Sequence, residues 1–246
     1  MGNPVPVWNI LVGFLASFLF SLAAFGLQRL SLDGMFAATV IGTIVFGFGG
    51  WAMVFIVLLF FISSSLISGS REAYADEVRR SGIQVWANGF WLITFLVLAV
   101  ILETNILLIG SLSAVAAATA DTWATELRDK RSNGTYLVTT FKPVAPGTDG
   151  GVSIRGTIWA SIGSLLIALV SAYFFSLGIG AFLIIFAAGF SGCLIDSYFG
   201  AAFQQNNRPV SIPFRQEGIR IDNNLVNAIS TGLGALLAII LRTLTV

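Results

Sequence analysis

The sequence predicts an all-α, polytopic helical bundle built into a membrane. Hydrophobic residues make up 56% of the chain and charged residues only 10%, with a mean hydropathy of +0.89, outside the range of soluble domains. Several apolar runs approach or exceed the ~18–20 residues that a helix needs to cross a ~30 Å hydrocarbon core. Lys and Arg cluster in four short segments between those runs: Arg29; Arg71, Arg79 and Arg80; Arg128, Lys130, Arg131, Lys142 and Arg155; Arg208, Arg215 and Arg220. Only Arg242 lies outside them. Placing all four segments in the cytoplasm satisfies the positive-inside rule.

The apolar runs then order themselves. The first, residues 7–27, has no positive charge before it and no small-residue cleavage pattern after it, so it reads as a retained span and not a signal peptide. A hairpin follows, 35–48 and 51–67, turning at Gly47, Gly49 and Gly50. A second hairpin runs over 89–102 and 106–120, with Glu103, Thr104 and Asn105 at its tip; a third covers 157–175 and 179–195. The last span is 225–241. The expectation is one transmembrane domain over residues 1–246, with about eight helices. Both termini then face the side opposite the polar loops. Because some runs are short, six or seven full spans plus a re-entrant pair also fits. The polar connection 128–156 reads as a loop.

Absences narrow the chemistry. The chain has no histidine and one cysteine, Cys193. This removes histidine acid–base catalysis, zinc–histidine sites and intrachain disulfides. What remains is oxygen chemistry. A helix of small residues ends in Ala120-Asp121-Thr122-Trp123-Ala124-Thr125-Glu126. A faint echo, Ile195-Asp196-Ser197-Tyr198, ends the second helix of the third hairpin, which hints at two related helical units. At the helical rise, Asp121 lies roughly 22 Å from Ile106, and Asp196 roughly 25 Å from Ile179. Both therefore sit at one level, near the edge of the bilayer core. An ionised carboxylate costs at least ~2.5–3.5 kcal/mol in lipid, so each should face a protein interior or a watery cleft. Two carboxylates at one level repel unless a cation lies between them, and Mg²⁺ suits hard oxygen ligands plus substrate phosphate. Asp121 and Thr125 share a helix face by their spacing. The bland alternative for each acid is a polar pin between helices, and for Glu126 a solvated helix end.

The turn of Gly147, Thr148, Asp149, Gly150, Gly151 and Ser153 resembles an anion nest before a helix start, although it matches no Walker pattern and on spacing alone suits a flexible linker. Lys142 and Arg155 flank it. Gln84 and Asn88, and Asn223, Asn224 and Asn227, stand at helix entrances where they can line the same cleft or cap helices. Trp51, Trp86 and Trp91 read as interface anchors.

Taken together, Phe60-Phe61-Ile62-Ser63-Ser64-Ser65, Gln84-Val85-Trp86-Ala87-Asn88-Gly89, the Asp121–Glu126 block, the glycine-rich turn and Gly192-Cys193-Leu194-Ile195-Asp196-Ser197 resemble one family. It is the integral membrane family that includes the phytyl-phosphate kinase of tocopherol synthesis, broadly similar to CTP-dependent phytol and dolichol kinases. The resemblance covers about residues 34–227. Such proteins carry Gly-Thr-Asn-Gly-Gly where this chain has Asp149 at the third position.

The resemblance implies transfer of a phosphate from CTP to an isoprenoid monophosphate, making a prenyl diphosphate. It implies Asp121 and Asp196 as Mg²⁺ ligands, with Thr125 and Glu126 assisting. Arg71, Asn88, Lys142 and Arg155 would meet phosphates, and the turn 147–153 would wrap the nucleotide. Partners are then a nucleoside triphosphate, a prenyl-lipid phosphate and membrane lipids, with no nucleic acid. Three rivals stand beside this reading. One is a secondary transporter binding a coupling cation at Asp121 and Asp196, one a non-catalytic lipid-binding protein, and one a prenyl alcohol kinase with Glu126 as base.

Overall fold

The computed structural model describes residues 7–69, 79–128, 134–205 and 221–245. Among these residues, seven helices are long and apolar enough to cross a membrane. They are α1 (Val7–Gly26), α2 (Leu32–Gly69), α3 (Gly82–Ile101), α4 (Asn105–Leu127), α5 (Ile154–Phe174), α6 (Ile179–Phe199) and α7 (Asn223–Thr245). The protein is an all-α, polytopic membrane bundle. Within the connection expected to be a loop, two short strands, β1 (Thr135–Leu137) and β2 (Gly151–Ser153), pair antiparallel.

The sequence predicts two helices where α2 stands. The structure joins them into one element with a non-helical residue at Gly50, φ 61° and ψ −164°. Ser31 N–H donates to the Arg80 carbonyl at 3.1 Å, while the Phe60 ring centroid lies 5.5 Å from the Arg80 guanidinium carbon. A straight helix would separate residues 31 and 60 by roughly 43 Å, more than an arginine side chain reaches. The chain therefore doubles back at Gly50 into two antiparallel limbs. Left-handed φ there suits a residue without Cβ. The eight expected helical segments are thus seven elements, one of them folded on itself.

Helix α3 begins at Gly82, seven residues earlier than the expected 89. Ser81 and Gln84 form a capping box, which satisfies two orphan donors of the first turn. The Asp33 carboxylate accepts from Gly82 N–H at 2.7 Å, tying the start of α2 to the start of α3. Gln84 consequently caps the entrance of α3, as its place there allowed, while Asn88 lies one turn further along the helix.

Helix α4 occupies the centre, packing on α2, α3, α5, α6 and α7. Its residues Ile109 to Ala120 are all buried. Small side chains permit this, because lipid supplies no hydrophobic drive between helices and close backbone approach must substitute. A Cβ on Gly189 would meet Ala116 Cβ at 2.5 Å, and one on Gly192 would meet Ala117 Cβ at 2.6 Å. Hydroxyls add interhelical bonds: Ser111 Oγ donates to the Leu92 carbonyl at 2.9 Å and Ser164 Oγ to the Phe186 carbonyl at 2.8 Å. Trp91, expected as an interface anchor, instead links α3 to α7, its Nε1–H donating to the Ala228 carbonyl at 2.8 Å.

Helix order brings the C-terminal ends of α4 and α6, the N-terminal ends of α5 and α7, and the β1–β2 pair to one end of the bundle. The candidate site forms at that end.

Candidate functional site

Asp121 falls near the end of α4 and Asp196 near the end of α6. Their carboxyl groups lie within hydrogen-bonding reach of each other. Two carboxylates that close share a proton or a cation, since paired negative charges repel strongly at low dielectric. Asp196 is further held from α7: Ser230 Oγ donates to its Oδ2 at 2.9 Å. The Asn227 amide, oriented to donate, reaches the same oxygen at 3.0 Å and the Asn223 carbonyl at 3.2 Å. The acid pair is thus braced by three helices.

A cleft of ≈ 40 Å³ opens beside the pair, lined by Asp121, Thr125 and Arg128 of the α4 end, by β2, by Gly156 and Thr157 of α5, and by Cys193 and Ser197 of α6. Its walls mix hard oxygen donors with one guanidinium. Arg128 lies close enough to Asp121 to act on its charge, and Asp149 close enough to act on Asp196. The first turn of α5 faces the cleft. Ser153 Oγ takes the Gly156 N–H at 3.1 Å as its cap, and the positive end of the helix dipole borders the same cleft as Asp121.

The glycine-rich turn is a built structure. Gly150 has φ 74°, and a Cβ there would lie 2.3 Å from both Ala201 Cβ and Ala201 N. The turn therefore seats directly on the π-helical segment Gly200–Gln204 that follows α6. Within the turn, Thr148 N–H is bonded to the Ala145 carbonyl at 3.1 Å and Gly151 N–H to the Thr148 carbonyl at 2.9 Å. Those two donors close the turn and do not point at a ligand.

The model for the family of integral membrane proteins called DUF92 matches residues 15–235. The chain belongs to this family. It is 35% identical to an uncharacterized membrane protein of Methanocaldococcus jannaschii, over 85% of this chain and 84% of that one. It is 29% identical to an uncharacterized membrane protein of Synechocystis sp., over 92% and 88% of the two chains. Identity to the chloroplastic protein VTE6 of Arabidopsis thaliana is 29%, over 54% of this chain and 38% of that protein. No solved structure matches.

Of the residues singled out in this DUF92 chain, the structure gathers Asp121, Thr125, Gly151 and Ser153 around the cleft, with Asp196 paired to Asp121. Gly147 stands beside Arg128, whose terminal nitrogen would lie 3.7 Å from a Cβ there. Others fall elsewhere. Glu126 sits on a different side of α4, near enough to Arg80 to act on its charge; five residues turn a helix by about 140° from Asp121. Among the described residues, no three of His, Cys, Asp and Glu gather as a metal-ligand group, so Glu126 does not complete one with the two aspartates.

Asn88 lines an apolar groove and not the cleft. Lys142 and Arg155 are exposed and do not line the cleft. Arg71 lies outside the described residues. The sequence reading missed Ser230, and it did not place Arg128 among the site residues. The signal for Ser230 was its place three residues after Asn227 on the polar stripe of α7.

Proposed function

We propose that this protein transfers the terminal phosphate of a nucleoside triphosphate, CTP, to an isoprenoid monophosphate such as phytyl phosphate. A phosphate oxygen of the acceptor attacks the γ-phosphorus, the bond from that phosphorus to the β–γ bridging oxygen breaks, and CDP leaves with the prenyl diphosphate as product. The observation that carries the reading is the acid pair Asp121–Asp196, of which Asp121 lines a cleft shared with Arg128, β2 and the first turn of α5. Phosphoryl transfer depends on positioning and charge neutralisation more than on a dedicated base, so a chain without histidine is equipped for it. Two carboxylates and the hydroxyls of Thr125 and Ser197 suit Mg²⁺, which takes one or two protein carboxylates and fills its shell with water and phosphate oxygens. When bound, Mg²⁺ would neutralise charge on the transferring phosphoryl group.

The remaining work falls to the chain. Ser230 and Asn227 hold Asp196 in orientation. Arg128 offers positive charge to the nucleotide phosphates, and the helix start of α5 adds its dipole. The motif resemblance and the relationship to VTE6 support membership in a prenyl-phosphate kinase-like family. With positive charge concentrated at the loop end, that end faces the cytoplasm, where nucleotide is available, and both termini face away.

The test is purified protein in nanodiscs with phytyl phosphate, Mg²⁺ and labelled CTP or ATP. Labelled diphosphate is expected, with Asp121→Asn and Asp196→Asn each reducing the rate about 100-fold or more, as for loss of a group that stabilises transition-state charge. Absence of product with every nucleotide, alongside cation-driven uptake in vesicles, would replace the kinase reading by transport.

A further inference from the structure

A second cavity lies across α4 from the acid pair. It is an apolar groove of ≈ 310 Å³ between α1, both limbs of α2 and α3, with Val115 of α4 as part of its wall. Its polarity is graded. Arg80, Gln84, Asn88 and Leu92 follow at four-residue intervals and all line it, so one stripe passes from a cation through two amides to an aliphatic side chain. The cation stands at the loop end of the bundle. The Arg80 guanidinium carbon lies 5.5 Å from the Phe60 and Phe61 ring centroids, a cation–π arrangement over an apolar wall. Gln84 Oε1 accepts from Ser81 N–H at 3.1 Å, so the NH2 end of that amide is the end able to donate to a ligand oxygen. At the other end the groove closes on Phe46 and Trp51, whose rings meet edge to face at 4.8 Å. From Phe61 to Trp51 the helical rise gives a depth of roughly 15 Å.

The geometry points to this groove as the seat of a single-chain, phosphate-headed isoprenoid lipid, its tail along α2 and α3 and its phosphate at Arg80. The proposal rests on the kinase reading for the identity of the lipid, and on the groove itself for the mode of binding. The charge gradient matches an anionic amphiphile. Glu126, five residues after Asp121 on α4, acts on the charge of Arg80, so the groove mouth and the acid cleft flank the last turns of one helix.

The experiment uses full-length protein in nanodiscs, without nucleotide. A photoreactive diazirine at the tail end of geranylgeranyl phosphate should label α2 and α3 peptides near Trp51 and Leu92, and unlabelled geranylgeranyl phosphate should compete. Inorganic phosphate should not compete, which separates a lipid site from a free-phosphate site. Arg80→Gln should weaken geranylgeranyl phosphate about tenfold, the loss of a charge-assisted hydrogen bond, and leave geranylgeraniol binding unchanged; Arg80→Lys should restore most of it. Val54→Trp should weaken both ligands. Labelling confined to other helices, or competition by two-chain phosphatidic acid equal to that by the prenyl phosphate, overturns the proposal. An equal loss for phosphate and alcohol in Arg80→Gln also overturns it. Labelling as expected in a protein that makes no diphosphate would sink the kinase reading and leave the groove assignment standing.

Discussion

Replacing Gly150 by alanine tests whether the glycine-rich turn works as a rigid wall of the site. The residue has φ 74°, and an added Cβ would lie 2.3 Å from both the Cβ and the backbone nitrogen of Ala201. A left-handed alanine costs about 1–2 kcal/mol. The overlap adds about 1–3 kcal/mol of overpacking strain, since a backbone neighbour does not step aside as a flexible side chain would. Ordinary contact begins near 3.4 Å, so the turn and the π-helical segment must part by about 1 Å. A displacement of that size at a reacting centre lowers rates by about 100-fold.

The assay is labelled transfer from CTP to phytyl phosphate, read beside thermal unfolding of the same preparations. Gly150→Ala should lose about 100-fold in rate with a clear drop in Tm. Gly180→Ala, a helical position whose Cβ would meet nothing within 4 Å, should keep the rate and hold or raise the Tm through better helix propensity. A Gly150→Ala protein with wild-type rate would refute the idea that the turn positions the reacting groups.

Three further outcomes follow from the same contacts. Ser230→Ala removes the 2.9 Å bond to Asp196 and should lower kcat about tenfold or more, because hydrogen bonds to charged groups contribute about 1.5–3 kcal/mol, while Ser230→Thr retains activity; equal rates for both variants would discount the bracing role. Trp91→Phe loses the bond to the Ala228 carbonyl and should destabilise the α3–α7 contact by about 1 kcal/mol, measured by unfolding in detergent, with no change in nucleotide KM. Gly50→Ala meets open space at its Cβ but keeps φ 61° with ψ −164°, a region almost confined to glycine, so its penalty should be that backbone strain alone, about 1–3 kcal/mol, with transfer rate intact; a collapse of folding would mean that the turn tolerates no side chain.

Particular residues show where linear reading succeeds. The turn between the limbs of α2 was legible because Gly47, Gly49 and Gly50 interrupt an apolar run too long for one span. The common level of Asp121 and Asp196 was legible because helical rise is constant, and the structure pairs them. Glu126 illustrates the limit. Its chemistry resembles that of Asp121, but helical rotation carries it to the other side of α4, toward Arg80. Asn88 was misplaced because the Ser81–Gln84 capping box starts α3 a full seven residues before its apolar run. The strands β1 and β2 were invisible because three-residue segments carry no measurable period.

Composition and helical period alone settled that this chain is a membrane bundle with acids at one end, since lipid forces backbone hydrogen bonds into helices and tolerates charge only at edges or in clefts. Which side chains meet was decided in three dimensions. The pairing of Asp121 with Asp196, the brace from Ser230 and the seating of Gly150 on Ala201 join residues that lie far apart in the chain. Each depends on how closely small residues let α4, α6 and α7 approach. That closeness is a property of packed surfaces facing one another, and no single helix carries it.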